Sequence, residues 1–328
     1  MKKVFSVNSE LNQVTGIQKV LLDIHKALKG TFDTKIVGQF NYKEINAALK
    51  IKREDYVQLK NPFMFRNSIV ILHQRKYLIL FEILNNLFFQ NITIVYIHHS
   101  LLKGHRLLTC FPKHIITIST RCVENLTQYF QVPLSQITKI YNCVEDAFTT
   151  FHQGKEEGKI TILYAAKVYP LKRQIEIFNQ LKNDLSPNIQ ILFAGDGPDY
   201  QVLREKTQGD DRFVCLGFKD NIHELLDIVD YSMLYSEYEG LPISLIEATM
   251  MGNPIICNDV GGNLEIARED YNAFICNSWE ELIKTLNSLP KNNSKQYKQM
   301  SQNSRNMYLD NFTFDKFKRD YQDYFSKL

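Results

Sequence analysis

A chain of 328 residues, 44% hydrophobic and 23% charged, is too apolar to be disordered and too long for one ordinary core, so two domains of about 150 residues each are expected. The formal net charge of +3 hides an asymmetry: residues 1–150 hold 19 Lys/Arg against 10 Asp/Glu, and the remainder 20 against 26. Six cysteines with no C-x-x-C pair exclude a disulfide frame or a cysteine zinc site, and they read as buried small side chains in a reducing compartment.

The first residues, MKKVFSVNSELNQ, contain one short strand (4–7) and no apolar stretch of signal-peptide length. A helix is expected over 17–28, opened by Thr15 and Gly16, then a strand over 35–37. Residues 41–65 carry no informative motif. A strand over 69–72 leads to a helix over 76–89; its apolar run is broken by Glu82, Asn85 and Asn86 and is too short to cross a bilayer. Strands over 92–98, 115–118 and 137–141 and a helix over 121–130 complete the first half. Near-continuous apolar strands separated by helices indicate a parallel sheet covered on both faces. The polar stretch TTFHQGKEEG, 149–158, reads as a linker, giving domains 1–148 and 149–328.

The pattern then restarts. Strands are expected over 160–165, 189–194, 213–216, 232–235, 254–257 and 273–276, and helices over 173–183, 200–206, 222–228, 242–251 and 279–286. Residues 312–328 alternate aromatic and charged side chains at helical spacing. The fold class is therefore α/β, with two doubly wound, Rossmann-like domains. Ligands of such sheets sit at the carboxyl ends of the strands, and with two domains the expected place is the cleft between them. No G-x-G-x-x-G follows the first strand, which disfavours a dinucleotide dehydrogenase.

Three strand-to-helix loops of the second half carry chemistry. In SEYEGLPISLIE, 236–247, Glu239 and Gly240 lie in the loop and Pro242 opens the helix, where its missing amide hydrogen is not needed. The amides of Gly240 and Leu241, with the helix dipole, form a place for a phosphate. Glu247, one to two turns along, can accept hydrogen bonds from sugar hydroxyls. The loops AGDGP, 194–198, and VGGN, 260–263, supply Gly195 and further glycines. Each glycine turn taken alone is explained by the conformation it makes.

With ILYAAKVYPLK, 162–172, and LGF, 216–218, these pieces occur in the order and spacing of the family 4 glycosyltransferases, which the chain resembles from about 160 to 276 and more weakly before that. The resemblance implies the GT-B fold. Lys167 and Lys172 stand where the family binds the donor diphosphate; an arginine is usual at the first, so the charge is kept and the bidentate fork lost. Glu239 stands near the donor sugar, Glu247 at the ribose hydroxyls, and Phe218 with Lys219 along the nucleobase. Gly16 remains from a Gly-Gly pair beside the donor phosphates. His98 of the IHHS segment is preferred to His99 as the ring facing the donor sugar, since strand alternation sends the two rings to opposite sides. The segment NCVE, 142–145, resembles an Asn-Gly-Val-Asp run, and a last helix that braces the first domain is a feature of the fold.

What the resemblance implies is transfer of a sugar from a UDP- or GDP-sugar to an acceptor hydroxyl, with retention, in cell-surface polysaccharide or glycolipid synthesis. Lysines and helix amides would meet the negative charge that develops on the diphosphate. Glu239 would hold the donor sugar, with no covalent role. No D-x-D triplet occurs, so fixed cations are expected in place of a metal, and no cofactor beyond the donor substrate. The implied acceptor is a sugar or lipid-linked saccharide. The basic half suits an anionic membrane surface better than nucleic acid, for which no binding module is present, and this places the chain in the cytoplasm, peripheral on the inner face of the cell membrane. A sugar-nucleotide 2-epimerase and a non-catalytic sugar-nucleotide-binding module are the alternatives.

Overall fold

The structure, a computed structural model, describes residues 1–106, 109–151 and 158–328. The chain divides into two compact units, Met1–Cys143 with Phe314–Leu328, and Val144–Thr313. The division falls between Cys143 and Val144, not at 148/149, because the second unit holds the intervening residues. The Arg305 guanidinium binds the Asp146 carboxylate through two bonds, and the Ala147 amide donates to the Met250 sulfur at 3.2 Å. Residues 152–157 of the expected linker lie outside the described residues.

The first unit is built on strands β1 (Lys3–Val7), β2 (Asp33–Gly38), β3 (Tyr56–Gln58), β4 (Ile69–Leu72), β5 (Thr93–His98), β6 (His114–Thr117) and β7 (Ile137–Lys139). They form one parallel sheet in the order β3-β2-β1-β4-β5-β6-β7. β4 is buried at every position, as a parallel strand covered on both faces must be. β3 leaves no apolar run in the sequence, because it is a three-residue edge strand directly after the charged residues 52–55.

Helices α1 (Gly16–Leu28), α2 (Leu78–Leu87) and α3 (Thr120–Glu124) cover this sheet. α1 starts where Thr15 and Gln18 form a capping box, and it buries Val20, Leu21, Ile24 and Leu28 at helical spacing. Phe65 meets Phe5 and Phe81 edge-on, at centroid distances of 5.3 and 5.0 Å. The single helix expected over 121–130 is instead α3 followed by a π-turn, Asn125–Tyr129. The coil widens where Asn125 directs its side-chain amide to both backbone groups of Leu102, at 2.9 and 3.0 Å.

The second unit carries β8 (Ile160–Ala165), β9 (Ile189–Ala194), β10 (Phe213–Gly217), β11 (Tyr231–Leu234), β12 (Ile255–Cys257) and β13 (Ala273–Ile275). This sheet is also parallel, in the order β10-β9-β8-β11-β12-β13. Its helices are α4 (Gln174–Leu181), α5 (Tyr200–Thr207), α6 (Ile222–Leu226), α7 (Ile243–Met251), α8 (Asn263–Ile266), α9 (Trp279–Asn287) and α10 (Lys295–Asn311). α7 is buried along most of its length and is stopped by Gly252 in the left-handed region, φ 79°. The last helix, α11 (Phe314–Ser326), returns to α1 of the first unit. Gln322 Nε2 donates to the Ala27 carbonyl at 2.9 Å, and Phe325 meets Phe32 edge-on.

Each sheet starts at its middle and is wound outward in both directions, so each has one point where the strand order reverses: β1/β4 in the first unit and β8/β11 in the second. The loops leaving these strand pairs diverge to opposite faces and leave a crevice. Of the cysteines, Cys122, Cys143, Cys257 and Cys276 are buried and Cys215 half-buried, but Cys110 is exposed, contrary to the sequence reading. Among the described residues no helix is long and apolar enough to cross a membrane.

Candidate functional site

The reversal point of the second sheet brings together two residues from distant parts of the chain. Lys172 ends a short 3-10 turn after β8, and Glu239 lies in the loop after β11. Lys172 Nζ is ion-paired with Glu239 Oε1, and both side chains are largely shielded, 16% and 7% exposed. The same carboxylate oxygen accepts from the Ser236 hydroxyl at 2.7 Å. The two loops are further tied by the Glu237 amide, which donates to the Leu171 carbonyl at 2.9 Å.

The frame around the pair is specific. The Tyr164 hydroxyl at the end of β8 donates to the Lys172 carbonyl at 2.6 Å and accepts from the Tyr235 amide at 3.1 Å. Burial pushes that phenol's pKa far up, so it stays a neutral donor. Asn258, after β12, clamps the backbone of Ser236 from the other side, accepting at 3.2 Å and donating at 2.7 Å. Arg173 holds the left-handed region, φ 57°, and stacks its guanidinium on Trp279 at 4.5 Å while bonding Glu176 at 2.9 Å. Sequence reasoning missed Tyr164, Arg173, Ser236 and Asn258, since each acquires meaning only once β8, β11 and β12 are neighbours.

Two of the glycines have a packing role at this site. A Cβ on Gly195 would lie 1.9 Å from the Ala166 carbonyl oxygen, so only glycine lets the 194–198 loop cross the loop after β8. Gly261 has φ +57°, and a Cβ there would lie 2.1 Å from the Glu239 carbonyl oxygen. The Gly262 amide then donates to the Gly240 carbonyl at 2.8 Å, fixing the backbone on which Glu239 sits. The glycine-rich turns thus lock the loops of β8, β9, β11 and β12 onto one another.

The other residues singled out from the sequence are placed as follows. Lys167 is exposed beside the Tyr169 ring. Gly240 is half-buried but Leu241 is buried, so of the two amides expected at the surface only that of Gly240 belongs to a partly open residue. Pro242 is the cap before α7 and not a residue of its first turn; its carbonyl accepts from Leu245 and Ile246. Glu247 is half-buried one turn into α7. Phe218 is 66% exposed directly after β10, whose Gly217 carbonyl accepts from the Gly195 amide at 2.8 Å. These contacts join the Phe218, Gly195 and Lys167 loops into one rim. Among the described residues no group of three His, Cys, Asp or Glu side chains is placed to hold a metal ion.

The first unit has its own polar cluster at the β1/β4 reversal. Gln74 Oε1 accepts from both the amide and the hydroxyl of Ser9, at 3.1 and 2.8 Å. Next to it, His73 and His99 stack with ring planes 17° apart, and His73 Nδ1 lies 3.0 Å from His99 Nε2. His98, the ring preferred from the sequence, is fully buried and bonded to Asn125 at 3.2 Å, whereas His99 is the half-buried one. Strand alternation correctly separates the two rings but does not say which side faces inward. Burial pushes His98 down to about 4 and His99 to about 3, so both are neutral near pH 7. Gly16, exposed at the first position of α1, is the remaining residue of this half named from the sequence.

Comparison with known proteins agrees with this architecture. Residues 146–307 match the family model described as glycosyl transferases group 1. N-acetyl-alpha-D-glucosaminyl L-malate synthase of Bacillus anthracis is 27% identical over 190 residues, covering 57% of this chain and 46% of the relative. UDP-Gal:alpha-D-GlcNAc-diphosphoundecaprenol alpha-1,3-galactosyltransferase of Escherichia coli is 25% identical over 172 residues, covering 50% and 44%. The chain therefore spans less than half the length of these two relatives. Among solved structures, HepE of Anabaena in complex with UDP-glucose superposes with a TM-score of 0.83 over 100% of both chains at 15% identity, a likeness of fold. The two parallel sheets are those of the GT-B fold, and the second unit matches the glycosyl transferases group 1 family over residues 146–307.

Proposed function

We propose that the chain is a hexosyltransferase-type glycosyltransferase that moves a sugar from a nucleoside-diphosphate sugar to an acceptor hydroxyl, with retention at the anomeric carbon. The observation that carries this reading is the Lys172–Glu239 pair at the β8/β11 reversal, within the residues that match the family. It offers a cation and a carboxylate side by side, on loops that are bonded to one another. The bond from the anomeric carbon to the diphosphate breaks with its electron pair on the phosphate oxygen, while the acceptor oxygen bonds to that carbon and passes its proton to the departing diphosphate. Lys172 and Lys167 stabilise that charge, and Glu239 holds the sugar hydroxyls and favours the positive charge on the ring. Glu247 serves the ribose, and Phe218 offers an open ring face to the nucleobase. Gly240 and Gly195 let the backbone approach the donor, and Gly16 opens α1 in the first unit.

The acceptor in this reading is a sugar or lipid-linked saccharide, in line with the diphosphoundecaprenol named in the Escherichia coli relative. The excess of basic residues in the first half supports work at an anionic membrane surface. Because lysines take the phosphate charge, the reaction is proposed to need no metal ion. Incubation with a panel of UDP- and GDP-sugars, with and without a chelator, tests the reading. Donor hydrolysis or transfer that survives the chelator supports it. Epimerisation at C2, or binding without turnover, would refute transfer, and a strict demand for divalent metal would refute the metal-free part.

A further inference from the structure

We infer that α2 and the aromatic corner beside it are an insertion face for an anionic lipid bilayer. α2 is apolar on two sides, with Glu82, Asn85 and Asn86 on the third: it buries Leu78, Phe81 and Leu84 in the core and leaves Ile79, Leu80, Ile83 and Leu87 exposed. A helix of this kind in a water-soluble fold needs a second apolar partner. The chain continues from it into Phe88, which meets the exposed Phe63 edge-on at 5.7 Å, and Phe89, which is 82% exposed.

The corner is built and not merely loose. Phe89 has φ 47°, a left-handed conformation that a bulky side chain disfavours. It is held there by the following turn, where the Asn67 amide donates to the Gln90 carbonyl at 2.9 Å and Asn91 Nδ2 donates to Asn67 Oδ1 at 3.0 Å. Backbone strain is thus kept in place while a phenylalanine points into solvent.

Charge decides what covers this face. Residues 56–91 carry Lys60, Arg66, Arg75 and Lys76 against the single acid Glu82, and of these cations Lys76 has Glu10 4.0 Å away. Arg75 also donates to the carbonyl of Gly104, the chain neighbour of Lys103, at 3.1 Å. A second copy pairing through this patch about a two-fold axis would set these cations against themselves. A bilayer with anionic headgroups satisfies both features, taking the apolar residues below the headgroups and the cations among them.

The inference extends the proposed membrane-side acceptor from charge attraction to insertion, and it is independent of donor chemistry. The test is co-sedimentation of the whole chain with phosphatidylglycerol-containing and pure phosphatidylcholine vesicles, comparing wild type with the double variant Phe88→Ser, Phe89→Asn. Wild type is expected to bind the anionic vesicles and to keep part of that binding in salt that screens surface charge. The double variant is expected to partition at least tenfold less while melting no lower than wild type, since asparagine tolerates the left-handed conformation. Equal partitioning of the two proteins, complete loss of wild-type binding in high salt, or no vesicle binding at all would overturn it. So would a wild-type dimer in sedimentation velocity that the variant abolishes, which assigns the face to a second copy. Binding of UDP-sugar, measured without vesicles, should be equal in both proteins, so failure here is separable from failure of the donor reading.

Discussion

Lys172 and Ser236 converge on one oxygen of Glu239, the first as an ion-pair partner and the second as a hydroxyl donor at 2.7 Å. The carboxylate is therefore held by two partners within its own unit, which fixes its rotamer. Glu239→Gln keeps the volume and an oxygen for Ser236 but removes the charge. Turnover of whichever nucleotide sugar is the donor should fall on the order of 10²-fold or more, and the melting temperature should fall as well, because Lys172, 16% exposed, loses its partner. A variant that keeps wild-type turnover would remove Glu239 from the chemistry.

The same pair makes a stability prediction with a definite sign. Lys172→Met strands a carboxylate that is only 7% exposed, and stranding a buried charge costs about 3–5 kcal/mol. Lys172→Met combined with Glu239→Gln removes both charges and should be more stable than Lys172→Met alone. Urea unfolding of the three variants and wild type forms a double-mutant cycle. Strict additivity would mean that the two side chains do not interact in solution.

Gly261 supports Glu239 from beneath. Gly261→Ala must bear a left-handed alanine and displace a Cβ that would sit 2.1 Å from the Glu239 carbonyl oxygen. A cost of about 2–4 kcal/mol is expected, together with weaker donor binding by calorimetry, because the loop can only relieve the clash by moving Glu239. Unchanged donor affinity would show that the loop gives way elsewhere.

What the sequence made legible was set by burial. β8 and β9 are read to the residue, because strands covered on both faces are near-continuous apolar runs, interrupted here only by Thr161 and Gln190. α10 is not, because Ser301, Asn303, Ser304 and Arg305, which hydrogen-bond to other segments, interrupt the buried side formed by Tyr297, Met300, Met307 and Tyr308. At the site, Lys172 and Glu239 stand out by motif spacing, whereas Ser236 and Asn258 are small polar residues in ordinary loops. Their role comes from strand order, which lies 22 residues apart in the chain. His98 and His99 show the same limit: period two separates adjacent rings, and only the packed sheet decides which one is interior.

The buried histidines of the first unit predict acid lability. In the unfolded chain His98 takes up its proton near its ordinary value of about 6.5, but in the folded chain burial holds it down to about 4. Between those values the unfolded state binds more protons, so stability falls as pH falls and returns as pH rises. His98 alone accounts for about 3 kcal/mol across that window, and His99, held to about 3, adds to it in the same direction. Melts followed by far-ultraviolet circular dichroism at pH 7, 5.5 and 4 should show the decline, and His98→Gln should flatten it. The one tryptophan, Trp279, lies in the second unit and is the wrong reporter. An unchanged pH slope in the variant would assign the lability to other groups.

Arg305 anchors the start of the second unit through planar geometry and not charge alone. Its guanidinium meets both Asp146 oxygens, at 2.9 and 2.5 Å, donates to the Met250 carbonyl at 2.7 Å, and stacks on Phe148 and Tyr308 at 4.4 and 4.9 Å. Lysine keeps the charge but can supply neither the parallel pair of bonds nor the flat face. Arg305→Lys should therefore lower stability by about 2 kcal/mol. Asp146→Asn, which keeps the shape and one acceptor at a half-exposed position, should cost about 1 kcal/mol. The order of the two melting temperatures is the sharper readout, since a purely Coulombic anchor would make Asp146→Asn the more damaging change. Wild-type melting of Arg305→Lys would mean that charge is enough to hold residues 144–148 to the second unit.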